Sequence, residues 1–242
     1  MARQPPPHLE PSELGTKEYW DATYETDLTT HVSTPSHTGQ TWFADVNASQ
    51  KTLRYLTSPA LSLSRETTSF LDLGTGNGEL LFLLREEGRF AGRLVGVDYS
   101  EASIDLCRQL AIQKGYPHGP GSDERRSLEF TIWDIMRTPP KQEWVEGFDV
   151  VLDKGTFDAV SLSGEVDEQE RRICEGYRER VEMLVKKGGY VLVTSCNWTE
   201  EELGEWFTGG GLEVYGRVEY PTFKFGGQTG QSVCSVCFKK KS

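Results

Sequence analysis

Short apolar runs alternate with amphipathic segments over most of this chain, from about residue 69 to the C-terminus. The runs that are typical of β-strands are residues 69–73, 93–97, 128–133, 148–152, 189–195, 212–218 and 232–238. The segments with helical spacing are residues 79–87, 100–114, 168–185 and 200–207. Strands that alternate with helices predict right-handed β-α-β crossovers and a mostly parallel sheet with helices on both faces.

The last two strand-like runs have no helical segment between them. They should pair antiparallel, because a parallel pair needs a long crossover connection. The predicted fold class is therefore α/β: a Rossmann-like, doubly wound seven-stranded sheet, mostly parallel, with an antiparallel C-terminal hairpin strand. The ligand site of such a sheet lies beyond the carboxyl ends of its strands, where the strand order reverses.

The chain before the first strand has a different character. Residues 1–12 are rich in proline and polar residues and are predicted to be a disordered tail. Residues 13–60 are predicted to form a helical cap, with helical spacing over residues 14–24 and 51–56 and with Thr16 as the first N-cap. The chain has 242 residues, of which 36% are hydrophobic, so residues 13–242 are expected to form one domain.

The formal net charge is −11, from 26 basic and 37 acidic residues. An acidic surface repels phosphate backbones, which argues against nucleic acid as a partner. There is no run of about 20 apolar residues and no signal segment, so we expect neither membrane insertion nor secretion. The five cysteines are scattered, and no histidine has a partner at metal-ligand spacing. We expect a cytoplasmic monomer with reduced cysteines and no metal.

The stretch FLDLGTGNGELL, residues 70–81, is typical of a buried strand that runs through a glycine-rich turn into a helix. Such a turn binds phosphate in P-loop proteins, but here no lysine and hydroxyl residue follow Gly78. It binds pyrophosphate in dinucleotide-binding proteins, but Glu79 would place a carboxylate at the helix end where the pyrophosphate lies. These features favour a ligand without phosphate.

Aspartates stand at three successive predicted strand ends. A carboxylate at Asp98 is suited to accept both hydroxyls of a ribose, and one at Asp134 is suited to the amino group of adenine. A carboxylate at Asp72 or Glu79 is suited to the ammonium group of an amino acid. We therefore predict that the cofactor is S-adenosyl-L-methionine. The residues predicted to bind it are Asp72, Gly74, Thr75, Gly76, Asn77, Asp98, Tyr99, Asp134, Ile135 and Trp42.

Four segments carry a resemblance to known proteins: LGTKEYWDATYETDL (14–28), LDLGTGNGELL (71–81), LDKGTFDAVSL (152–162) and YPTFKFGGQTGQSV (220–233). The glycine motif resembles that of the class I, seven-stranded methyltransferases that use S-adenosyl-L-methionine. The other segments resemble those of the eukaryotic elongation factor 1-alpha lysine methyltransferases. The resemblance implies a protein-lysine N-methyltransferase whose protein substrate is elongation factor 1-alpha. It also implies that the leading segment closes over the cofactor.

The segment after the fourth strand bears on the substrate. Asp153-Lys154-Gly155-Thr156 stands where amide and nucleobase-amine methyltransferases carry [DN]-P-P-[FY], which argues against those substrates. A carboxylate there is suited to hold an incoming lysine ammonium, so Asp153 is the predicted catalytic residue, with Asp158 behind it. Lys154 is expected to pair with an acid nearby. The residues predicted to line the substrate channel are Trp20, Tyr24, Phe43, Thr156, Phe157, Tyr220 and Phe223.

Two alternatives to this function stay open on the sequence. The same fold serves methyltransferases that act on another protein or on a small molecule. A catalytically silent methyltransferase fold can also act as a binding protein. The intact glycines and the three strand-end acids speak against a silent site, because such a site has no reason to keep them together.

Overall fold

A computed structural model describes residues 6–116, 128–221, 223–225 and 228–242, with backbone alone for 223–225 and 228–230. Seven strands form its main sheet: β1 (Phe70–Leu73), β2 (Leu94–Asp98), β3 (Glu129–Ile132), β4 (Phe148–Lys154), β5 (Val185–Ser195), β6 (Leu212–Val218) and β9 (Cys234–Lys240). A separate two-stranded hairpin, β7 (Phe223–Phe225) and β8 (Gln228–Gly230), stands between β6 and β9 in the chain. The sequence did not predict this hairpin.

The strand order of the main sheet is β3-β2-β1-β4-β5-β9-β6. The pairs from β3 to β5 are parallel, and β9 runs antiparallel to both of its neighbours, β5 and β6. The predicted Rossmann-like, mostly parallel seven-stranded sheet with an antiparallel C-terminal strand is therefore confirmed. The order reverses between β1 and β4, which places the expected ligand site at their carboxyl ends.

Helices cover both faces of the sheet. They are α1 (Lys17–Ser33), α2 (Ala48–Thr57), α3 (Glu79–Glu86), α4 (Glu101–Gln113), α5 (Thr156–Ser161), α6 (Tyr177–Leu184) and α7 (Glu200–Phe207). One buried cluster joins α2, α3 and α4 to Phe70 and Leu152, and a second joins α5, α6 and α7 to Leu71 and Val151. Neighbouring strand residues enter opposite clusters because side chains alternate along a strand. This division explains the continuous apolar runs in the sequence.

The predicted helix over residues 168–185 is wrong for most of its length. Only Tyr177–Leu184 is α-helical, after a short 3-10 turn at Ile173–Gly176, and β5 begins at Val185 without a loop. Before the turn, Asp167 Oδ1 accepts hydrogen bonds from the amides of Gln169 (2.9 Å) and Arg171 (3.0 Å). These hydrogen bonds stabilise a turn and compete with the backbone hydrogen bonds of a helix.

The first helix begins where its N-cap was predicted, since Thr16 Oγ1 accepts a hydrogen bond from the Tyr19 amide at 3.4 Å. The helix continues to Ser33, well beyond the predicted end at Tyr24. No helix within the described residues is long and apolar enough to cross a membrane.

The segment before α1, which we call the N-terminal strap (residues 6–16), is packed against the domain. Pro6 is buried, Leu9 packs on the second cluster, and the Ser12 amide donates to the Leu162 carbonyl at 3.1 Å. Arg172 Nη2 also donates to the Leu9 carbonyl at 3.3 Å. The expectation of disorder is therefore wrong for residues 6–12, and residues 1–5 lie outside the described chain. The strap is held by long-range contacts that its polar composition does not reveal.

The strap allows a prediction at Gly15. A Cβ atom there would lie 2.2 Å from the backbone carbon of Leu162, which leaves no room for alanine. We expect Gly15→Ala to lower the free energy of unfolding by about 1–3 kcal/mol, as overpacking does. Urea denaturation of both proteins measures the change. Gly176→Ala is the matched control, because nothing lies within 4 Å of the Cβ position there. Equal stability of the two variants would contradict the packing of the strap.

Candidate active site

A cavity opens at the carboxyl ends of β1, β2 and β4, where the strand order reverses. Its walls come from the glycine turn, the ends of these strands, the loop after β3, α5, α1 and the loop after α1. The switch point of strand order is where open α/β sheets bind their ligands. Most of the residues predicted to bind the cofactor line this cavity: Gly74, Thr75, Gly76, Asn77, Asp98, Tyr99, Asp134, Ile135 and Trp42.

The glycine turn has a backbone that only glycine adopts without strain. Gly74, Gly76 and Gly78 have φ values of 57°, 57° and 74°, in the left-handed region. A Cβ on Gly74 would lie 2.2 Å from Thr156 Oγ1, and one on Gly76 would lie 2.8 Å from the Tyr24 hydroxyl. The turn therefore brings bare backbone to the cavity between β1 and α1.

Asp72 supports this turn through a hydrogen bond from Thr75 and does not line the cavity. Its carboxylate is buried, and Thr75 Oγ1 donates to Oδ2 at 2.7 Å. Burial raises the pKa of Asp72 to about 6, while the hydrogen bond from Thr75 opposes the rise. The expected direct contact of Asp72 with a ligand ammonium does not match this placement, because Asp72 is not among the residues that line the cavity.

Asp98, the last residue of β2, lines the cavity. Oδ2 accepts a hydrogen bond from the Gly76 amide at 3.1 Å, and Oδ1 accepts one from the Ser100 amide at 3.0 Å. Each oxygen keeps a lone pair for a further donor, so the carboxylate is held in place and can accept two hydroxyl groups. Burial raises the pKa of Asp98 to about 6.

The neighbouring wall combines an aromatic ring, an acid and apolar side chains. Tyr99 lines the cavity, and Lys17 Nζ lies 5.1 Å from its ring centroid. Asp134 Oδ1 accepts from the amides of Met136 (2.8 Å) and Arg137 (3.1 Å), which fixes the loop after β3. Ile135 is buried beside it. This wall suits a flat ring that carries an amino group, because apolar surface and a fixed acceptor stand together.

An aromatic group closes the side of the cavity near α1. Trp20 and Trp42 line it with their ring centroids 5.0 Å apart, and Tyr24 stacks on Trp20 at 6.0 Å. Phe43 does not line the cavity, but it meets Trp42 edge-on at 5.8 Å. It also lies against Gly155, where an added Cβ would be 3.4 Å from the ring.

The loop that carries these aromatics, which we call the cover segment (residues 38–43), is fastened to the glycine turn. Asn77 Nδ2 donates to the Thr38 carbonyl at 3.0 Å and to Thr41 Oγ1 at 3.3 Å. On the other side, Asp27 Oδ2 accepts from the Gln40 amide at 2.9 Å. The cover segment is thus tied both to α1 and to the turn that it covers.

Asp153, the predicted catalytic residue, is not placed in the cavity. Its side chain is buried, and it accepts hydrogen bonds from the amides of Thr156 (2.9 Å) and Phe157 (3.1 Å) and from the Tyr177 hydroxyl (2.6 Å). Burial raises its pKa to about 7. The carboxylate satisfies the free amides at the start of α5, so its geometry is that of a helix cap.

Asp158 also has a positioning geometry. Its carboxylate accepts hydrogen bonds from Ser195 Oγ and from the Cys196 amide, the latter at 2.9 Å. It therefore ties the first turn of α5 to the loop after β5. The two acids of the LDKGTFDA segment hold the frame of the site, and neither faces the cavity.

The predicted channel residues are only partly brought together. Trp20, Tyr24 and Thr156 line the cavity, and Thr156 Oγ1 donates to the Leu73 carbonyl at 2.7 Å. Phe157 lies in the second buried cluster. Tyr220 is buried away from the cavity, with its hydroxyl 2.8 Å from Ser235 Oγ. The side chain of Phe223 lies outside the described residues.

Several residues that line the cavity were not predicted to belong to the site. They are Gly15, Lys17, Gln40, Leu73, Val97, Trp133, Met136, Arg137, Lys154, Gly155, Ala159, Val160, Ser163, Glu165 and Ile173. Of these, Lys154 carried a usable signal, because it lies inside the LDKGTFDA segment. Within the described part of the chain, no group of three or more His, Cys, Asp and Glu side chains is placed to hold a metal ion.

Comparison with known proteins identifies the domain. A family model described as a methyltransferase domain matches residues 64–226. The protein-lysine N-methyltransferase EFM4 of Saccharomyces cerevisiae is 39% identical over 237 residues, which cover 97% of each chain. The EEF1A lysine methyltransferase 2 of Danio rerio is 35% identical over 230 residues, which cover 95% of this chain and 89% of the relative.

A solved structure shares the fold. The N-methyltransferase NodS from Bradyrhizobium japonicum, in complex with S-adenosyl-L-homocysteine, superposes with a TM-score of 0.54 and 15% sequence identity. The superposition covers 91% of this chain and 99% of NodS. At this identity the likeness concerns the fold, and it agrees with the sheet order described above.

Proposed function

Because this chain belongs to the methyltransferase-domain family, we propose that it is a protein-lysine N-methyltransferase that modifies translation elongation factor 1-alpha. The observation that carries the proposal is near full-length identity, 39% and 35%, with two relatives named for lysine methylation. The name of the second relative specifies the elongation factor as its substrate. The cavity geometry supports the chemistry, as the next paragraphs describe.

The cofactor is S-adenosyl-L-methionine, which supplies a methyl group bound to a positively charged sulfur. The residues present fit it, because the cavity combines a bare glycine backbone at Gly74 and Gly76 with the carboxylate of Asp98, which can accept further hydrogen bonds. We propose that Asp98 accepts the two ribose hydroxyls and that Asp134 and Ile135 hold the adenine. The glycine turn then receives the methionine portion.

The target lysine must reach the cavity as a neutral amine, because only the free base has a lone pair to attack with. The described carboxylates that line the cavity are Asp98, Asp134 and Glu165, and none of them belongs to the end of β4. We therefore propose that the amine loses its proton to solvent before it enters. The ring faces of Trp20 and Trp42 exclude water and position the alkyl chain.

A labelling experiment tests this function. The purified protein is incubated with methyl-labelled S-adenosyl-L-methionine and purified elongation factor 1-alpha, and the product is mapped by mass spectrometry. Label on a lysine of the elongation factor supports the proposal. Label that appears only on other components of a cytosolic lysate identifies a different substrate. Cofactor binding without any transfer identifies a catalytically silent binding protein, and either result contradicts the proposal.

The dependence of cofactor binding on pH follows from Asp98. The ionised carboxylate accepts both ribose hydroxyls, whereas the protonated form loses an acceptor. Because burial raises the pKa of Asp98 to about 6, affinity should be constant at higher pH and fall as the pH drops through about 6. Calorimetric titration with S-adenosyl-L-homocysteine over this range measures the effect.

The control for this pH dependence is Asp98→Asn, which should bind weakly with a flatter profile. Asp72 titrates in the same range, since burial raises its pKa to about 6 as well. A full pH dependence that persists in Asp98→Asn would therefore assign the effect to Asp72 or another group and contradict the prediction.

We also propose that the protein acts as a monomer in the cytoplasm and that nucleic acid is not its substrate. The net charge of −11 supports the last point, because it disfavours contact with phosphate backbones. Light scattering after size-exclusion chromatography tests the monomer, and a dimer mass would overturn it. Labelling of purified RNA under the conditions above would overturn the exclusion of nucleic acid.

A further inference from the structure

Among the described residues, one lysine of the cavity wall has no ionic partner. The positively charged side chains that line the cavity, among the described residues, are Lys17, Lys154 and Arg137. Lys17 Nζ lies 2.6 Å from Asp21 Oδ2, and Arg137 Nη2 lies 2.6 Å from Glu165 Oε1. No described carboxylate oxygen lies within the 4.0 Å ion-pair distance of Lys154 Nζ. The expectation that Lys154 pairs with a nearby acid is therefore wrong.

The surroundings of Lys154 make this ammonium group available to a ligand. Its Nζ donates to the Trp42 carbonyl at 3.2 Å, which is its one hydrogen bond among the described residues. An ammonium group has three donors, so two are left for other acceptors. Burial is the largest influence on its pKa, which it lowers, and the more distant charges of Glu79 and Asp72 oppose the change. A partly buried ammonium group is stabilised by an anionic partner, because burial of an unpaired charge costs free energy.

The position of Lys154 fits the end of the cofactor that needs a cation. Lys154 is the last residue of β4 and lies two residues before Thr156, whose side chain stands against Gly74 of the glycine turn. The proposed adenosine contacts, Asp98 and Asp134, lie at the end of β2 and just after β3, which are on the other side of β1 from β4. The amino-acid end of the cofactor carries one carboxylate, which is its only anionic group. Lys17 and Arg137 already have carboxylate partners.

We infer that Lys154 binds the α-carboxylate of S-adenosyl-L-methionine while it holds the carbonyl of Trp42. The inference rests on the proposed cofactor-dependent function and adds a residue to it. The same ammonium group then joins the cofactor to the cover segment. The position of Trp42 in the cavity wall therefore depends on the side chain that binds the cofactor carboxylate. Lys154 thereby distinguishes ligands that carry the carboxylate from ligands that lack it.

Two ligands separate this contact from all others. S-adenosyl-L-homocysteine carries the carboxylate, and its decarboxylated analogue keeps the adenosine, the sulfur and the amine. We expect the wild-type protein to bind the first about tenfold or more tightly than the second, as a charged hydrogen bond implies. In Lys154→Met this preference should disappear, through weaker binding of S-adenosyl-L-homocysteine, and Lys154→Arg should retain part of it. Calorimetry measures all four affinities without any protein substrate.

Lys17→Met is the matched control, since Lys17 lines the same cavity and is already paired with Asp21. It should keep the preference for the carboxylate. Equal weakening of both ligands by Lys154→Met, in a variant that melts like the wild type, would overturn the inference. Failure of the wild type to bind either ligand would instead overturn the cofactor-dependent function on which the inference rests. Failure to methylate elongation factor 1-alpha leaves the binding result, and so the inference, standing.

Discussion

Replacement of Asp98 by alanine is expected to weaken binding of S-adenosyl-L-homocysteine by up to about 3 kcal/mol, roughly 100-fold. The change removes the acceptors proposed for both ribose hydroxyls. It also leaves the amides of Gly76 and Ser100, which now donate to the carboxylate at 3.1 Å and 3.0 Å, without their partner. The turn that receives the methionine portion is therefore loosened together with the ribose site. Calorimetric titration of wild type and variant measures the loss.

The control for this prediction is Asp105→Ala. Asp105 lies on the next helix, α4, and pairs at the surface with Arg108 at 3.2 Å, so its loss changes the net charge equally without touching the cavity. We expect its affinity for S-adenosyl-L-homocysteine to equal that of the wild type. An Asp98→Ala variant that binds as tightly as the control would show that Asp98 does not hold the ribose.

Replacement of Asp153 by alanine is expected to lower the free energy of unfolding by about 2–4 kcal/mol. The loss leaves the amides of Thr156 and Phe157 and the hydroxyl of Tyr177 buried without an acceptor. The start of α5 would then lose its cap, and α5 lines the cavity through Thr156. Urea denaturation, with ellipticity as the signal, measures the change in stability.

Asp153→Asn tests the assignment more finely. Its amide oxygen can still accept from the backbone, and its amide nitrogen can donate to the Tyr177 hydroxyl, so a smaller loss of stability is expected. Both variants should methylate in proportion to the fraction that is folded. An Asp153→Asn protein that is fully stable but does not transfer methyl groups would contradict the helix-cap assignment. It would indicate that Asp153 takes part in the reaction.

The features that sequence could predict are those set by neighbouring residues. The glycines of the turn, Thr16 as an N-cap and Asp98 at a strand end each depend on a pattern a few residues long. The alternation of strands and helices makes β1 and β2 parallel neighbours, so their carboxyl ends lie side by side. Asp98 and the glycine turn therefore meet in the structure as the sequence implied.

The features that sequence could not predict depend on which face of the sheet a residue occupies. Asp153 and Lys154 are neighbours in β4, so their side chains point to opposite faces. The sequence does not state which face carries α5, and α5 itself is six residues long with no periodic pattern to reveal it. The predicted chemistry was consequently given to Asp153, while Lys154 is the residue that lines the cavity.

The placement of β9 bears on how the domain is completed. This strand is hydrogen-bonded on both sides, to β5 and to β6, in the interior of the sheet. During synthesis, the edge of β5 that pairs with β9 lacks this partner until residues 234–240 have been made. Loss of these few residues would remove an internal strand, so a truncated chain is expected to accumulate as an aggregation-prone, unfinished sheet.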